Sequence, residues 1–179
     1  MIAVFDAYHI AKIEAHDAQK IHILLDSNYE YFETYFPKTL AQNLTEALSE
    51  SFVTKKIEQF KNRDELLFTI KKTITGDIIG LVYIKNLDWE NKHGEFAYCI
   101  DRQIQNKGVG TKAIQALSKY AFNTLTLDRL VAIIDKNNIA SIKVVKNTGF
   151  TWTSTLENIF KPTQHPPLDM ELYTLHNER

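Results

Sequence analysis

The 179 residues include only one cysteine, four prolines and six glycines, and each shortage removes a class of protein. Cys99 has no partner for an internal disulfide, and neither it nor His9, His16, His22, His93, His165 and His176 follows zinc-ligand spacing. The expectation is a reducing compartment, the cytoplasm, and no metal. So little glycine and proline argues against long disordered segments or linkers. Charge of one sign is also missing: 21 basic residues against 22 acidic ones leave a net charge of −1, with no field to recruit nucleic acid or an anionic membrane. Long hydrophobic runs are absent too. The longest, residues 78–84, contains Gly80 and is too short to cross a bilayer, and residues 1–6 lack the basic start and apolar core of a secretory signal.

What remains is ordinary for a soluble globular chain: 44% hydrophobic and 24% charged residues, enough to bury a sizeable core as a single domain over residues 1–179. Residues 8–13 predict a first strand, and Asp17 can cap a helix to about residue 26. Tyr29, Tyr31, Phe32, Tyr35 and Phe36 predict a second helix ended by Pro37, its aromatics packed in the core. Leu48, Phe52, Ile57 and Phe60 recur at mostly helical spacing over residues 45–61. Residues 65–72 and 77–85 then predict a hairpin turning at Gly76-Asp77, with a polar loop over 86–92. In residues 94–100 side chains alternate, with Glu95, Ala97 and Cys99 on one face. A strand over 129–134 should run parallel to it, joined by a right-handed crossover. Residues 150–160 and 168–176 form an expected closing hairpin around Pro162, Pro166 and Pro167.

The crossover holds the most informative stretch, residues 105–150. Gln105-Asn106-Lys107-Gly108-Val109-Gly110-Thr111 places two glycines just before a helical pattern in which Ala113, Ile114, Leu117, Ala121 and Phe122 share a face. Such a turn aims several N–H groups at one point, and the helix start adds unpaired donors and partial positive charge, so the loop suits a phosphate. The same pair also serves as plain loop punctuation. At the far end, Asn138 and Ser141 open another helix and Gly149 occupies the left-handed position that ends one.

With these residues in view the chain resembles the GCN5-related N-acetyltransferase superfamily, whose acetyl-CoA loop reads Gln/Arg-x-x-Gly-x-Gly/Ala. Gln105, Gly108 and Gly110 match it, and Asn138, Ala140, Ser141, Gly149 and Phe150 match the second signature of the branch that acetylates ribosomal-protein N-termini, the RimJ/RimL type. One departure is visible: where that branch commonly carries Gly-Tyr-Trp, this chain reads Glu95-Phe96-Ala97-Tyr98-Cys99-Ile100. The resemblance implies an α/β (α+β) fold with a mixed, mostly antiparallel sheet of about six to seven strands, helices on both faces, and a splayed parallel pair as the acetyl-CoA site.

It further implies acetyl-CoA as donor, with Gln105, Asn106, Lys107, Gly108, Val109, Gly110 and Thr111 around the pyrophosphate and Asn138 holding the pantetheine or acetyl end. Glu95 is the implied base and Ser141 the implied donor to the departing sulfur. Each has a plainer reading: a solvent-facing strand carboxylate, a first-turn serine, an N-cap asparagine. Lys107, Lys112, Lys143 and Lys146 are candidates for phosphate contacts, although lysines on helix faces are usually only solvated. Tyr120 is poorly placed to replace Ser141. The expected acceptor is a primary amine, foremost a protein N-terminus, in a monomer or homodimer. A small amine such as a polyamine or antibiotic, and a non-catalytic CoA-binding module, are the alternatives.

Overall fold

The computed structural model describes residues 1–161 and 166–178, so Pro162 and His165 lie outside the described residues. Strands hydrogen-bond in the order β1-β2-β3-β4-β5-β6-β8-β7, and the chain packs as two compact units, Met1–Tyr83 with Tyr98–Lys107, and Ile84–Ala97 with Gly108–Arg179. No helix among the described residues is long and apolar enough to cross a membrane.

In the first unit, β1 (Ala3–Phe5) pairs antiparallel with β2 (Tyr8–Lys12), and β2 with β3 (Leu66–Lys72), with Ile10 opposite Ile70. The strand β1 brings the total to eight; three residues are too short to display an alternation in sequence. The hairpin from β3 to β4 (Ile78–Asp88) closes as expected, with Gly76 at φ +67° and the Lys72 N–H donating to Asp77 O at 2.9 Å. Strand β4, however, runs three residues past the predicted end at Lys85, through Asn86 and on to Asp88.

Between β2 and β3 come α1 (Ala18–Ser27), α2 (Tyr29–Phe32), α3 (Pro37–Ala41) and α4 (Glu46–Asn62). Asp17 precedes α1 without capping it. Its buried carboxylate accepts from the Glu14 N–H at 3.0 Å and pairs with Lys71 Nζ at 2.6 Å, so the group turns back toward its own loop. Pro37 opens α3 at a first-turn position, where its missing N–H costs nothing; α2 has already ended at Phe32. Phe32 alone of the five aromatics is fully buried, while Tyr29 and Tyr31 are 44% and 41% exposed. Thr45 caps α4, accepting from the Leu48 N–H at 3.3 Å.

Strand β5 (His93–Ile100), whose part up to Ala97 belongs to the second unit, runs parallel to β6 (Arg129–Asp135) from His93↔Arg129 to Phe96↔Ala132. The crossover between them carries α5 (Val109–Asn123), which buries Val109, Ala113, Ile114, Leu117 and Ala121. From β6 the chain enters α6 (Ile139–Asn147), then the antiparallel pair β7 (Thr151–Phe160) and β8 (Leu168–His176), with β8 beside β6. The end of α6 satisfies its last carbonyls in a Schellman arrangement: Gly149 at φ +91°, its N–H on Lys146 O at 3.2 Å, and the Phe150 N–H on Val145 O at 3.1 Å. Phe150 then packs on Phe96, with ring centroids 6.3 Å apart.

Gly80 is required by close approach, since a Cβ there would sit 2.9 Å from Cys99 O. Cys99 itself is buried, and burial pushes its thiol from 9.0 up to about 12. Sealed from reagent and about a thousandfold poorer in thiolate at pH 8, Cys99 should resist iodoacetamide in the native protein and react promptly in guanidinium. Stoichiometric native labelling, read by mass spectrometry, would contradict that packing.

Candidate active site

The glycine loop is built from the backbone outward. After β5, the Asp101 carboxylate accepts from the Gln103 N–H at 3.0 Å and forms a single helical turn over Arg102–Ile104. This turn is tied to the α1–α2 junction: buried Asn28 donates from Nδ2 to Leu24 O at 2.9 Å and accepts from the Arg102 N–H at 3.0 Å on Oδ1. Gln105 adds a second tie, donating from Nε2 to the Tyr31 hydroxyl.

Beyond Gln105 the chain takes two left-handed steps, at Asn106 (φ +61°) and Gly108 (φ +74°), with Lys107 exposed between them. Asparagine tolerates that region through local hydrogen bonding, and glycine has no Cβ to clash. A Cβ on Gly108 would meet nothing within 4 Å, so the backbone angle, not crowding, requires glycine here. The first helical bond of α5 is Lys112 N–H to Gly108 O at 3.0 Å. The amides from Asn106 to Thr111 therefore find no protein acceptor among the described residues. Unpaired donors at a helix N-terminus, with open space beside Gly108, fit a pyrophosphate. Val109 and Gly110 are buried in the first turn and anchor it.

At the end of β6, buried Asp135 shapes the approach to α6. Its Oδ1 accepts from the Asn137 N–H at 2.9 Å, and its carbonyl accepts from the Asn138 N–H at 2.8 Å. Asn138 is the N-cap, with Oδ1 accepting from the Ser141 N–H at 3.1 Å. The cap occupies the amide oxygen, and Asn138 Nδ2 has no protein acceptor among the described residues. Ser141, half-buried, sits on the first turn. Asn138 and Ser141 are thus brought together directly.

Glu95 is not a solvent-facing strand carboxylate. It is 8% exposed, Oε1 lies 2.9 Å from Lys85 Nζ, and Oε2 accepts from Asn86 Nδ2 at 2.8 Å. Consecutive strand residues normally point to opposite faces, yet Lys85 and Asn86 reach one carboxylate. The reason is Asn86 at φ +49°, which bends β4 locally and turns its amide onto the same side. Sequence reasoning missed both partners, since Asn86 read as the start of a polar loop and Lys85 as the last residue of its strand. Asn28 and Tyr31, which hold the glycine loop, were missed as well. Lys107, Lys112, Lys143 and Lys146 are all exposed, and Tyr120 lies in the last turn of α5, about 16 Å along the axis from its start. Among the described residues no cluster of three His, Cys, Asp or Glu could hold a metal.

With this geometry, the acetyltransferase (GNAT) domain model matches residues 9–151. A spermidine N(1)-acetyltransferase of Escherichia coli (strain K12) is 31% identical over 85 residues, 48% of this chain and 46% of that one. The chain spans about half the length of the curated relatives it matches. Two solved structures share the fold. One is a ribosomal-protein-S5-alanine acetyltransferase from Vibrio fischeri, at TM-score 0.91 and 21% identity over 98% of this chain and 96% of that one. The other is RimL, a ribosomal L7/L12 alpha-N-protein acetyltransferase in complex with coenzyme A, at TM-score 0.89 and 16% identity over 98% and 97%.

Asn28→Leu keeps the number and branching of the side-chain heavy atoms and removes both of its bonds, leaving the Arg102 amide and the Leu24 carbonyl without a side-chain partner. It should cost about 1–2 kcal/mol in urea denaturation. The Arg102 amide should also exchange hydrogen faster than in wild type, and unchanged exchange would show that Asn28 does not hold the turn.

Proposed function

Because the chain belongs to the acetyltransferase (GNAT) family, we propose that it is an acetyl-CoA-dependent N-acetyltransferase whose acceptor is the N-terminal amine of a protein, such as a ribosomal protein. On this reading residues 1–179 are a single cytoplasmic acetyltransferase domain. The observation that carries the donor half is the row of amides from Asn106 to Thr111 without protein acceptors, ending at the start of α5. The Asn138 and Ser141 pair, and the protein acetyltransferases that share the fold over nearly the whole chain, support the acceptor half.

Acetyl-CoA, when bound, supplies an acetyl group already activated as a thioester. The chain's part is to hold it, to manage protons and to admit one amine. Amides 106–111 bind the pyrophosphate, with Gln105 fixing the entry to the loop through Tyr31. Asn138, its oxygen committed to the cap, offers Nδ2 to the pantetheine or acetyl end. Glu95 takes the proton from the acceptor nitrogen, directly or through a water, its carboxylate oriented by Lys85 and Asn86. Ser141 donates to the sulfur as the C–S bond breaks. The lysines on exposed faces are given no role. The 31% identity to a spermidine acetyltransferase favours a second reading, with a small polyamine as acceptor and the same chemistry.

The test is free-thiol release from acetyl-CoA across peptides with free N-termini, polyamines and aminoglycosides. Glu95→Gln should lower kcat by about 100-fold or more, and Ser141→Ala by about tenfold, with CoA affinity little changed in both. Unchanged turnover in the two variants would remove the assigned chemistry. Binding of CoA with no turnover on any amine would leave a binding module in place of an enzyme.

A further inference from the structure

The carboxylate proposed to receive the acceptor's proton already holds an ammonium. Lys85 Nζ is 2.9 Å from Glu95 Oε1, and the Lys85 side chain is 35% exposed against 11% for Glu95, so the ammonium is the more solvent-accessible member of the pair. Of the acids in the same unit, Asp88 accepts from the Asn91 N–H and Nδ2 of its own turn, both at 2.8 Å, which keep it charged, and Asp128 faces Lys92 at 3.5 Å. An acceptor nitrogen arriving beside Glu95 therefore meets a neutral pair, not a bare negative charge.

We infer that Lys85 is a specificity-determining residue: by pairing with Glu95 it disfavours polycationic acceptors and selects an amine that arrives uncharged, which is the chemistry of a protein N-terminus. The inference rests on the reading of Glu95 as proton acceptor, and it decides between the two acceptor classes. A peptide α-amine, with a pKa near 8, is about one-quarter neutral at pH 7.5, whereas an alkylamine near 10.4 is neutral in only about one molecule per thousand. A second ammonium close to Lys85 is repelled, and Coulomb attraction to Glu95 is already spent on the protein's own lysine. The neutral α-amine meets no such repulsion and needs only to lose its proton as the new N–C bond forms. Atoms balance in that step: the nitrogen bonds the acetyl carbon and its proton passes to Glu95, and the C–S bond breaks with its electron pair on sulfur. The sulfur takes the Ser141 hydroxyl proton to leave as the free thiol, Ser141 regaining a proton from solvent, to which Glu95 releases its own. Asn86 keeps Oε2 in place throughout.

The experiment compares wild type with Lys85→Met, Lys85→Gln and Lys85→Arg. One readout is the ratio of kcat/KM for a short peptide with a free N-terminal alanine to that for spermidine. The other is the affinity of the CoA-loaded protein for spermidine by calorimetry. Wild type should favour the peptide. Lys85→Met and Lys85→Gln should lower the ratio by about tenfold and tighten spermidine binding by about tenfold. Lys85→Arg, which keeps the charge, should restore both. A wild type that prefers spermidine, or neutral variants with unchanged ratio and unchanged spermidine affinity, would overturn the assignment. If wild type acetylates no amine, the enzymatic reading fails, and the calorimetric comparison alone still decides whether Lys85 repels the polyamine.

Discussion

Everything in the second unit depends on a short parallel pairing, His93↔Arg129 to Phe96↔Ala132. Parallel strands cannot be joined by a tight turn, so the chain must leave β5, cross over and return, and α5 is that crossover. The return strand β6 carries on beside β8 as far as Asp135↔Met170 and then turns at once into α6. Two helix N-termini therefore follow the carboxyl ends of two parallel strands, where α/β sheets commonly bind ligands. The two helix starts differ in kind. The first has no side-chain cap and leaves its amides open at Gly108; the second is closed by Asn138 on the Ser141 amide. An anion suits the open one, and a side chain can be presented from the closed one.

The carboxylate arrangement depends on a second local departure from regular structure. In an undistorted β4, Lys85 and Asn86 would lie on opposite faces, and Glu95 would have one partner at most from that pair. The left-handed step at Asn86 gives it two. A strained residue of this kind persists only when its surroundings fix it, and the bond to a buried carboxylate does so. The first unit also holds a buried carboxylate, Asp17, on the Glu14 amide and Lys71, there without a left-handed step. Both cases follow one rule, that a carboxylate removed from water must find donors.

Legibility in the sequence follows from which part of the chain does the work. Gly108 and Gly149 were readable because a positive φ selects glycine, and Asn138 with Ser141 because a cap needs a short polar side chain at a fixed offset. The parallel direction of β5 and β6 and the closing hairpin followed from periodicity and from the crossover rule. Asn86 was not readable, since an asparagine after a strand looks like a loop and its left-handed angle leaves no mark in the sequence. Asn28 was hidden for another reason: its partner, the Arg102 amide, is far away along the chain. Pro37 was read as a stop when its fixed φ made it a start, and Asp17 as a cap when Lys71, on a distant strand, drew its carboxylate away.

The same distinction explains why the donor is easier to name than the acceptor. On the proposed reading a pyrophosphate is bound by backbone amides, so the loop must keep its angles and hence its glycines. An amine is sorted by side-chain charge, and a single lysine or its absence changes the sort without moving any backbone. Fold likeness to protein acetyltransferases and sequence likeness to a spermidine acetyltransferase can thus coexist in one chain. On the proposed reading, what separates the two classes physically is the net charge that the incoming nitrogen meets, and the charge paired with Glu95 is that of Lys85. A buried carboxylate left bare attracts any cation that fits; one already paired attracts none, and admits a nitrogen on shape and hydrogen bonding alone.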